Sequence, residues 1–265
     1  MPLRVPPHVL RALLLAVLLP LAACATANRQ GLEPLVTDRP DFTESSETVP
    51  TGLAQLESGT TYARDGEVRG TSIGEALLRV GVSSRAELRL GFNSYSIQNE
   101  AGATARGLED ASLGAKFKLL QGGPAGSAKP TVALLIGTSL PTGATPFRSQ
   151  KLQPEMKTAF AWDLNDRVAF SSNLNYAWVR ETFDSYGEVG ASGSLGLGVT
   201  DRIGAYVEYF GFFPRAEFVG KSHFANGGMT FGLNDNLQLD ARAGKQVARK
   251  DGTGYFIGLG ISRRW

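Results

Sequence analysis

Cysteine and histidine are scarce: the 265 residues include one cysteine, Cys24, and two histidines, His8 and His223. A single cysteine excludes a disulfide framework, and so few thiolate and imidazole groups do not make a zinc site. The sequence therefore predicts no metal and no cofactor. The net charge is only +2 and there is no basic run, so we expect no nucleic-acid partner.

Long apolar runs are absent after the N-terminus, where no segment reaches the roughly 18 apolar residues that a spanning helix needs. At the start, Arg4 and Arg11 precede an apolar run, Ala12–Leu21, and small residues follow it. This order is typical of a secretory signal peptide. We expect residues 1–25 to form this signal, with cleavage between 23/24 and 27/28.

Cys24 leaves two interpretations of the cleavage open. The stretch Leu21-Ala22-Ala23-Cys24 is similar to a lipobox, after which Cys24 would carry a lipid as the first residue of a lipoprotein. The stretch Ala25-Thr26-Ala27 equally fits ordinary cleavage after a small-x-small triplet, which would remove Cys24.

A repeated unit fills the rest of the chain: about ten residues of alternating polarity, then turn residues. In the last unit, Tyr255, Ile257, Leu259 and Ile261 fall on one face, and mostly small or polar residues fall on the other. Successive strand side chains point to opposite faces, so each unit predicts a strand with one apolar face. We place strands at 52–64, 71–82, 85–98, 107–120, 130–141, 151–164, 167–180, 186–199, 202–213, 221–233, 237–248 and 254–265. The segment 151–164 is the weakest of these because of Pro154.

The connections alternate in length. Tight turns such as Ser83-Ser84 and Asn165-Asp166 alternate with longer links at Asn99–Arg106, Thr142–Gln150 and Pro214–Gly220. Short periplasmic turns and longer outer loops are typical of bacterial outer-membrane barrels, which have even strand numbers. The pattern therefore predicts an all-β fold, a transmembrane antiparallel up-and-down β-barrel of about twelve strands over residues 52–265. Both termini would lie at the periplasmic end.

The charges on the polar faces indicate which side meets lipid. A Lys or Arg that faces lipid at the bilayer centre costs about 2–4 kcal/mol, so the polar faces should point to the lumen. We expect the lumen to be lined by Arg79, Glu87, Arg89, Lys116, Glu208, Asp240 and Arg242.

Trp265 ends an alternating strand with an aromatic residue. Bacterial outer-membrane proteins commonly end in this way, and the barrel-assembly machinery reads such an end as an insertion signal. We therefore expect export to the outer membrane of a Gram-negative bacterium, with that machinery and the outer-membrane lipids as partners.

The polar N-terminal stretch, residues 26–51, contains Asp38-Arg39-Pro40-Asp41-Phe42-Thr43-Glu44-Ser45, followed by Val49-Pro50-Thr51-Gly52 and Gln55-Leu56-Glu57-Ser58-Gly59. These motifs resemble the start of the transporter-like barrels of the family named putative MetA-pathway of phenol degradation. The resemblance is specific over about twenty residues. It implies an outer-membrane barrel that passes aromatic compounds.

Two roles are open for this stretch. Asp38, Arg39, Asp41 and Glu44 could fold into the lumen and pair with charges of the wall as a plug. Alternatively, the stretch is a solvated periplasmic lead-in whose turns are capped by its own side chains.

Catalysis is not expected. Ser222 and His223 are neighbours on a predicted strand, so their side chains point to opposite faces and cannot form a nucleophile–base pair. A lipase-like barrel enzyme is therefore the least favoured interpretation.

The sequence favours a channel for the passive passage of small solutes, with aromatic compounds as the class that the resemblance implies. The alternative is a closed structural or adhesive barrel that presents surface loops. Charges of both signs on the lumen faces fit either interpretation.

Overall fold

The computed structural model describes residues 34–180, 185–247 and 254–265. The predicted signal peptide and Cys24 lie outside these residues. The described chain contains no helix that is long and apolar enough to cross a membrane. Its strands are β1 (Ala54–Asp65), β2 (Val68–Ile73), β3 (Leu77–Ser83), β4 (Ala86–Gly91), β5 (Tyr95–Glu100), β6 (Ala103–Leu108), β7 (Ala111–Leu120), β8 (Thr131–Leu140), β9 (Gln153–Asp163), β10 (Val168–Arg180), β11 (Ser185–Gly198), β12 (Ile203–Pro214), β13 (Ser222–Asn234), β14 (Leu237–Gln246) and β15 (Tyr255–Arg264).

The strands form one antiparallel sheet that closes on itself. The closing pair is β1 with β15, in register from Gln55 opposite Arg264 to Arg64 opposite Tyr255. Trp265 continues this pairing, since its N–H donates to the Ala54 carbonyl at 2.9 Å and its carbonyl accepts from the Ala54 N–H at 3.0 Å. The fold is therefore a β-barrel, as predicted.

The fifteen strands make a barrel wall of twelve segments, because three segments are each interrupted once. The interrupted segments are β2 with β3, β4 with β5, and β6 with β7. They correspond to the predicted strands 71–82, 85–98 and 107–120. The predicted count of twelve is confirmed, and Pro154 lies at the start of β9, where its missing N–H costs least.

The three interruptions lie side by side, and we call the stretch of wall at residues 74–76, 92–94 and 109–110 the bend. The Gly74 N–H donates to the Gly59 carbonyl at 2.8 Å, the Phe92 N–H to Ala76 at 2.8 Å, and the Glu109 N–H to Ser94 at 2.9 Å. Gly74 has φ +79°, a conformation that other residues adopt only with strain. The backbone thus stays hydrogen-bonded across the bend.

One predicted loop is wrong. The link expected at Asn99–Arg106 is instead the tip of a hairpin, in which β5 and β6 pair up to Glu100 opposite Ala103. Ala101 and Gly102 have φ of 47° and 83°, the positive values that a tight two-residue turn of this hand needs. The sequence did not predict this turn because its first position is alanine, where Asn, Asp or Gly is usual.

The side chains are arranged inside out relative to a soluble protein. Val207 and Leu259 on the outer face are 63% and 67% exposed, whereas Arg79, Glu87 and Lys116 on the inner face are fully buried. An apolar outer band around a polar interior is the arrangement that a barrel in lipid requires.

Candidate functional site

Residues 34–51, the N-terminal segment, lie inside the barrel among the inward-facing side chains. Near its start, the Val36 carbonyl accepts a hydrogen bond from Gln55 Nε2 at 2.9 Å. The segment then crosses the lumen and returns, so that the Val49 N–H donates to Glu87 at 2.7 Å. It contacts strands around most of the wall, including β1, β4, β10, β12, β14 and β15.

Asp38 lies at the centre of the cationic part of the lumen. Its carboxylate is 2.9 Å from Lys116 Nζ, 2.5 Å from Arg89 Nη1 and 3.4 Å from Arg79 Nη1. Arg79 also pairs with Glu87 at 2.8 Å. Burial alone would raise the pKa of Asp38, but the three cations outweigh it and hold the pKa well below its usual value.

Arg39 reaches the part of the wall around the seam between β1 and β15. Its guanidinium is 3.0 Å from Glu75 and 3.3 Å from Asp240. Gly59 of β1 and Gly260 of β15 leave the space for it, since a Cβ at either position would collide with the guanidinium. The wall therefore has a slot shaped for this one side chain.

Residues 41–43 dock on β12. Glu208 accepts hydrogen bonds from the Phe42 N–H at 2.9 Å and from the Thr43 N–H at 2.6 Å, and Asn226 Nδ2 donates to it at 2.5 Å. Burial, followed by the negative charge of Glu208, raises the pKa of Asp41 well above its usual value.

Glu44 is held by two cations of the wall. Its carboxylate is 2.6 Å from Arg89 Nη2 and forms a short ion pair with Lys157 Nζ. Its N–H donates to Asn173 Oδ1 at 2.8 Å. Burial would raise the pKa of Glu44, but Arg89 and Lys157 lower it to about 2.

The residues that the sequence singled out come together here. The four predicted plug residues, Asp38, Arg39, Asp41 and Glu44, contact the wall as described above. All seven predicted lining residues face the interior, and each contacts the segment. The contact of Arg242 is its hydrogen bond to the Pro40 carbonyl, at 3.0 Å.

Sequence reasoning placed the charged residues of the site but did not find its aromatic cluster. Lys157 and Glu57 lie on polar faces that the sequence predicts to point inward, although they are not among the seven predicted lining residues. Phe210 lies on the same face of β12 as Glu208, so alternation places it inward too. Alternation does not show which rings meet in the lumen, because that depends on the pairing of β12 with β13 and on the position of Phe42.

The inward aromatic residues form a cluster around Phe42. The Phe42 ring stacks on Phe210, with centroids 4.4 Å apart and planes at 13°, and meets the edge of Phe212 at 5.3 Å. Phe210 stacks in turn on Phe224 at 4.9 Å. The lumen therefore has an aromatic part on β12 and β13, beside its cationic part on β3, β4, β7 and β9.

Two cavities adjoin the N-terminal segment at different heights in the barrel. One of about 440 Å³ reaches towards the loop end and is bordered by Glu75, Glu109 and Thr138. The other, about 300 Å³, reaches towards the turns at the end with the termini and is bordered by Gly198 and Gly204. Both cavities are also lined by Arg39 and Asp41, so this stretch of the segment separates them.

The described residues give little support to a catalytic role. His223 Nδ1 is 2.7 Å from the Tyr209 hydroxyl, and its ring packs near Tyr209 and Phe213, with no serine among these contacts. Within residues 34–180, 185–247 and 254–265, no group of three or more His, Cys, Asp and Glu is placed to hold a metal ion.

Comparison with known proteins agrees with this geometry. The sequence profile of the family described as Putative MetA-pathway of phenol degradation matches residues 37–265. The fold is similar to the COG4313 outer membrane channel from Pseudomonas putida F1, with a TM-score of 0.62 and 13% identity over 85% of this chain and 100% of that one. It is also similar to the NanC porin, with a TM-score of 0.57 and 8% identity over 78% and 98% of the two chains. No curated protein sequence gives a significant match.

Proposed function

This chain belongs to the family described as Putative MetA-pathway of phenol degradation, and from that premise we propose that it is an outer-membrane channel for the passive passage of small solutes, aromatic compounds among them. Its fold, shared with outer-membrane channels, supports a location in the bacterial outer membrane. Trp265 would serve there as the insertion signal for the assembly machinery.

One observation carries the proposal: two cavities inside the barrel are separated by Arg39 and Asp41 of the N-terminal segment. Solute would pass from the larger cavity to the smaller when this stretch moves aside. The proposal thus assigns Asp38, Arg39, Asp41 and Glu44 the role of a plug, and assigns the seven lining residues a position beside the path.

The contacts of the plug are suited to reversible release. Attraction between buried charges is largely offset by the cost of removing them from water, so ion pairs specify a position more than they strengthen it. When a charged side chain of the plug moves away, water would take its place beside the lining residue with which it was paired. Because both signs line the path, we expect the open channel to conduct small ions of either sign.

The first test is single-channel conductance in planar bilayers. Refolded protein that starts at Asn28 is compared with a variant lacking residues 28–50. We expect small conductance steps from the longer protein and steps several-fold larger from the variant, because the lumen loses its partition. Equal steps from both proteins would contradict the plug role.

A locked variant provides the matched control. Thr43 Oγ1 and Ser192 Oγ are 2.7 Å apart, so cysteines at these positions are well placed for a disulfide. Protein from Asn28 onwards has no other cysteine. Oxidised Thr43→Cys/Ser192→Cys protein should stay silent, and dithiothreitol should restore the steps of the parent.

The density of contacts around the N-terminal segment also favours a second candidate, a closed structural barrel. In that case the segment is a permanent part of the interior. Silence of both the parent and the deletion variant, with folding shown by heat-modifiable gel mobility, would support the closed barrel and contradict the channel.

A further inference from the structure

Phe42 and Glu44 of the N-terminal segment together resemble an aromatic carboxylate bound in the lumen. We propose that the place they occupy is a binding site for small aromatic carboxylates, which compete with the segment for it. This inference rests on the proposed function, because it names a substrate class for the same lumen.

The ring half of the site is the aromatic part of the wall. Phe210 lies flat against Phe42 on one side and against Phe224 on the other, and Phe212 presents its edge to all three. Offset stacks and edge contacts of this kind add about 0.5–1.5 kcal/mol to the burial of a ring. When Phe42 leaves, Phe210 presents a bare flat face to the lumen.

The carboxylate half is the pair Arg89 and Lys157. Each retains only 11% exposure of its side chain, and both are paired with Glu44. A buried cation that loses its partner is costly unless another anion replaces it. The two cations therefore favour a ligand that brings its own negative charge over a neutral phenol or hydrocarbon.

The two halves are close enough for one small molecule. Lys157 Nζ is bonded to the Glu44 carboxylate and is also 5.8 Å from the centre of the Phe42 ring. A carboxylate attached directly to a ring, or through one or two atoms, spans this distance. The cavity of about 440 Å³, which Phe42, Glu44, Arg89 and Lys157 all border, provides access and is within the usual size range of ligand pockets.

Competition with the segment predicts an effect of mutation that is not expected for residues that only line the lumen. A ligand that must displace an occupant binds with an apparent affinity reduced by the fraction of empty sites. Removing the mimicking groups should therefore tighten binding, although Phe42 and Glu44 are themselves contacts of the site. A purely structural role for the two residues predicts the opposite sign or no change.

The test is calorimetric titration of benzoate into the full chain in detergent. We expect Glu44→Gln and Phe42→Ala to bind benzoate at least tenfold more tightly than the parent. Phe210→Ala combined with Glu44→Gln should lose this gain, because the ring face is gone. Weaker or unchanged benzoate binding by both single variants would overturn the proposal.

Glu47→Gln is the matched control. Glu47 is also a carboxylate of the segment in an ion pair with the wall, at Lys118, but it does not border the large cavity. Its substitution loosens the segment without opening the proposed site, so benzoate affinity should stay within about twofold of the parent. An equal gain in Glu47→Gln and Glu44→Gln would overturn the proposal in favour of general loosening.

Two further ligands test the chemistry. Cyclohexanecarboxylate keeps the charge but lacks a flat ring, and benzyl alcohol keeps the ring but lacks the charge. Benzyl alcohol should bind Glu44→Gln at least tenfold more weakly than benzoate. Cyclohexanecarboxylate should bind about two- to tenfold more weakly, because it loses only the stacking of an aromatic ring. Equal binding of either would overturn the class that we propose. Conductance without benzoate binding would refute this inference alone, and benzoate binding without conductance would refute the channel alone.

Discussion

At the scale of single residues, the interior is a set of charges that each have a partner from another part of the chain. Lys116 is fully buried and lies 2.9 Å from Asp38, and Arg79 is fully buried and lies 2.9 Å from Glu57. An isolated charge in such a place would be prohibitively costly. The wall and the N-terminal segment are therefore complementary in charge, and removing either leaves the other unpaired unless water enters.

Asp41 is the exception among the segment's acids, because the wall charge that acts on it most strongly is another carboxylate, Glu208. Ser194 donates a hydrogen bond to it, Tyr206 lies on the same side, and Asp38 adds further repulsion. The docked segment holds the proton of Asp41 more tightly than the free segment does. The contribution of Asp41 to docking is thus complete below its ordinary pKa of about 3.9 and is lost as the pH rises through its raised pKa.

The raised pKa of Asp41 predicts that opening of the channel depends on pH. Asp38 and Glu44 have lowered pKa values, so their contribution to docking is present above about pH 4 and is lost only towards more acidic pH. Above about pH 4 the change among these three acids comes from Asp41, and single-channel open probability should rise as the pH passes through its raised pKa. In Asp41→Asn the rise should disappear, and the open probability should stay near the parent's low-pH value. An unchanged slope in Asp41→Asn would contradict this assignment.

At the scale of elements, the bend in the wall distinguishes this barrel from twelve straight strands. The interruptions at residues 74–76, 92–94 and 109–110 lie next to one another, and the large cavity lies against them, bordered by Glu75, Asn93 and Glu109. Ser94 and Ser96 hydroxyls donate to Glu109 at 2.5 and 2.6 Å. The bend thus shapes the part of the lumen that we propose solutes enter first.

Gly74→Ala tests the bend. At φ +79° a Cβ is strained even though no atom lies within 4 Å of it, so we expect a loss of about 1–2 kcal/mol in the free energy of unfolding. Gly70→Ala, four residues away in β2, also has open space around its Cβ but no unusual φ, and it should change stability by less than about 1 kcal/mol. Urea unfolding in lipid vesicles, followed by tryptophan fluorescence, measures both. Equal losses in the two variants would show that the bend does not depend on Gly74.

At the scale of the whole molecule, closure joins the two ends of the barrel chain. Trp265 pairs with Ala54 through two backbone hydrogen bonds and packs against the cluster of Ala54 and Leu78. Trp265 therefore extends the seam between β1 and β15 and ties it to β3.

Trp265→Ala should lower the yield of folded barrel. It should also lower the free energy of unfolding by about 2 kcal/mol, roughly half of the loss for a fully buried tryptophan. Trp178→Ala, which removes a tryptophan from the outer face of β10 away from the seam, is the control and should leave the yield of folded barrel unchanged. Heat-modifiable gel mobility after refolding into vesicles gives the yield. A normal yield and midpoint for Trp265→Ala would contradict a role in closure.

The sequence alone was enough to predict the barrel, its twelve wall segments and the direction of its charged faces. The reason is that strand alternation and the cost of charge in lipid are local properties that each strand carries by itself. Arg79, Glu87 and Lys116 could be placed inside without any knowledge of their neighbours. The hairpin turn at Ala101-Gly102 escaped prediction because its backbone conformation is not the one that alanine usually signals.

Only the tertiary structure decided where the N-terminal segment lies and which charges it meets. Asp38 is 78 residues from Lys116, and Glu44 is 113 residues from Lys157, so no local pattern could pair them. The same holds for the stack of Phe42 on Phe210 and for the two cavities on either side of Arg39 and Asp41. These features depend on closing the sheet into a barrel, because closure brings distant strands to face one another across a single lumen.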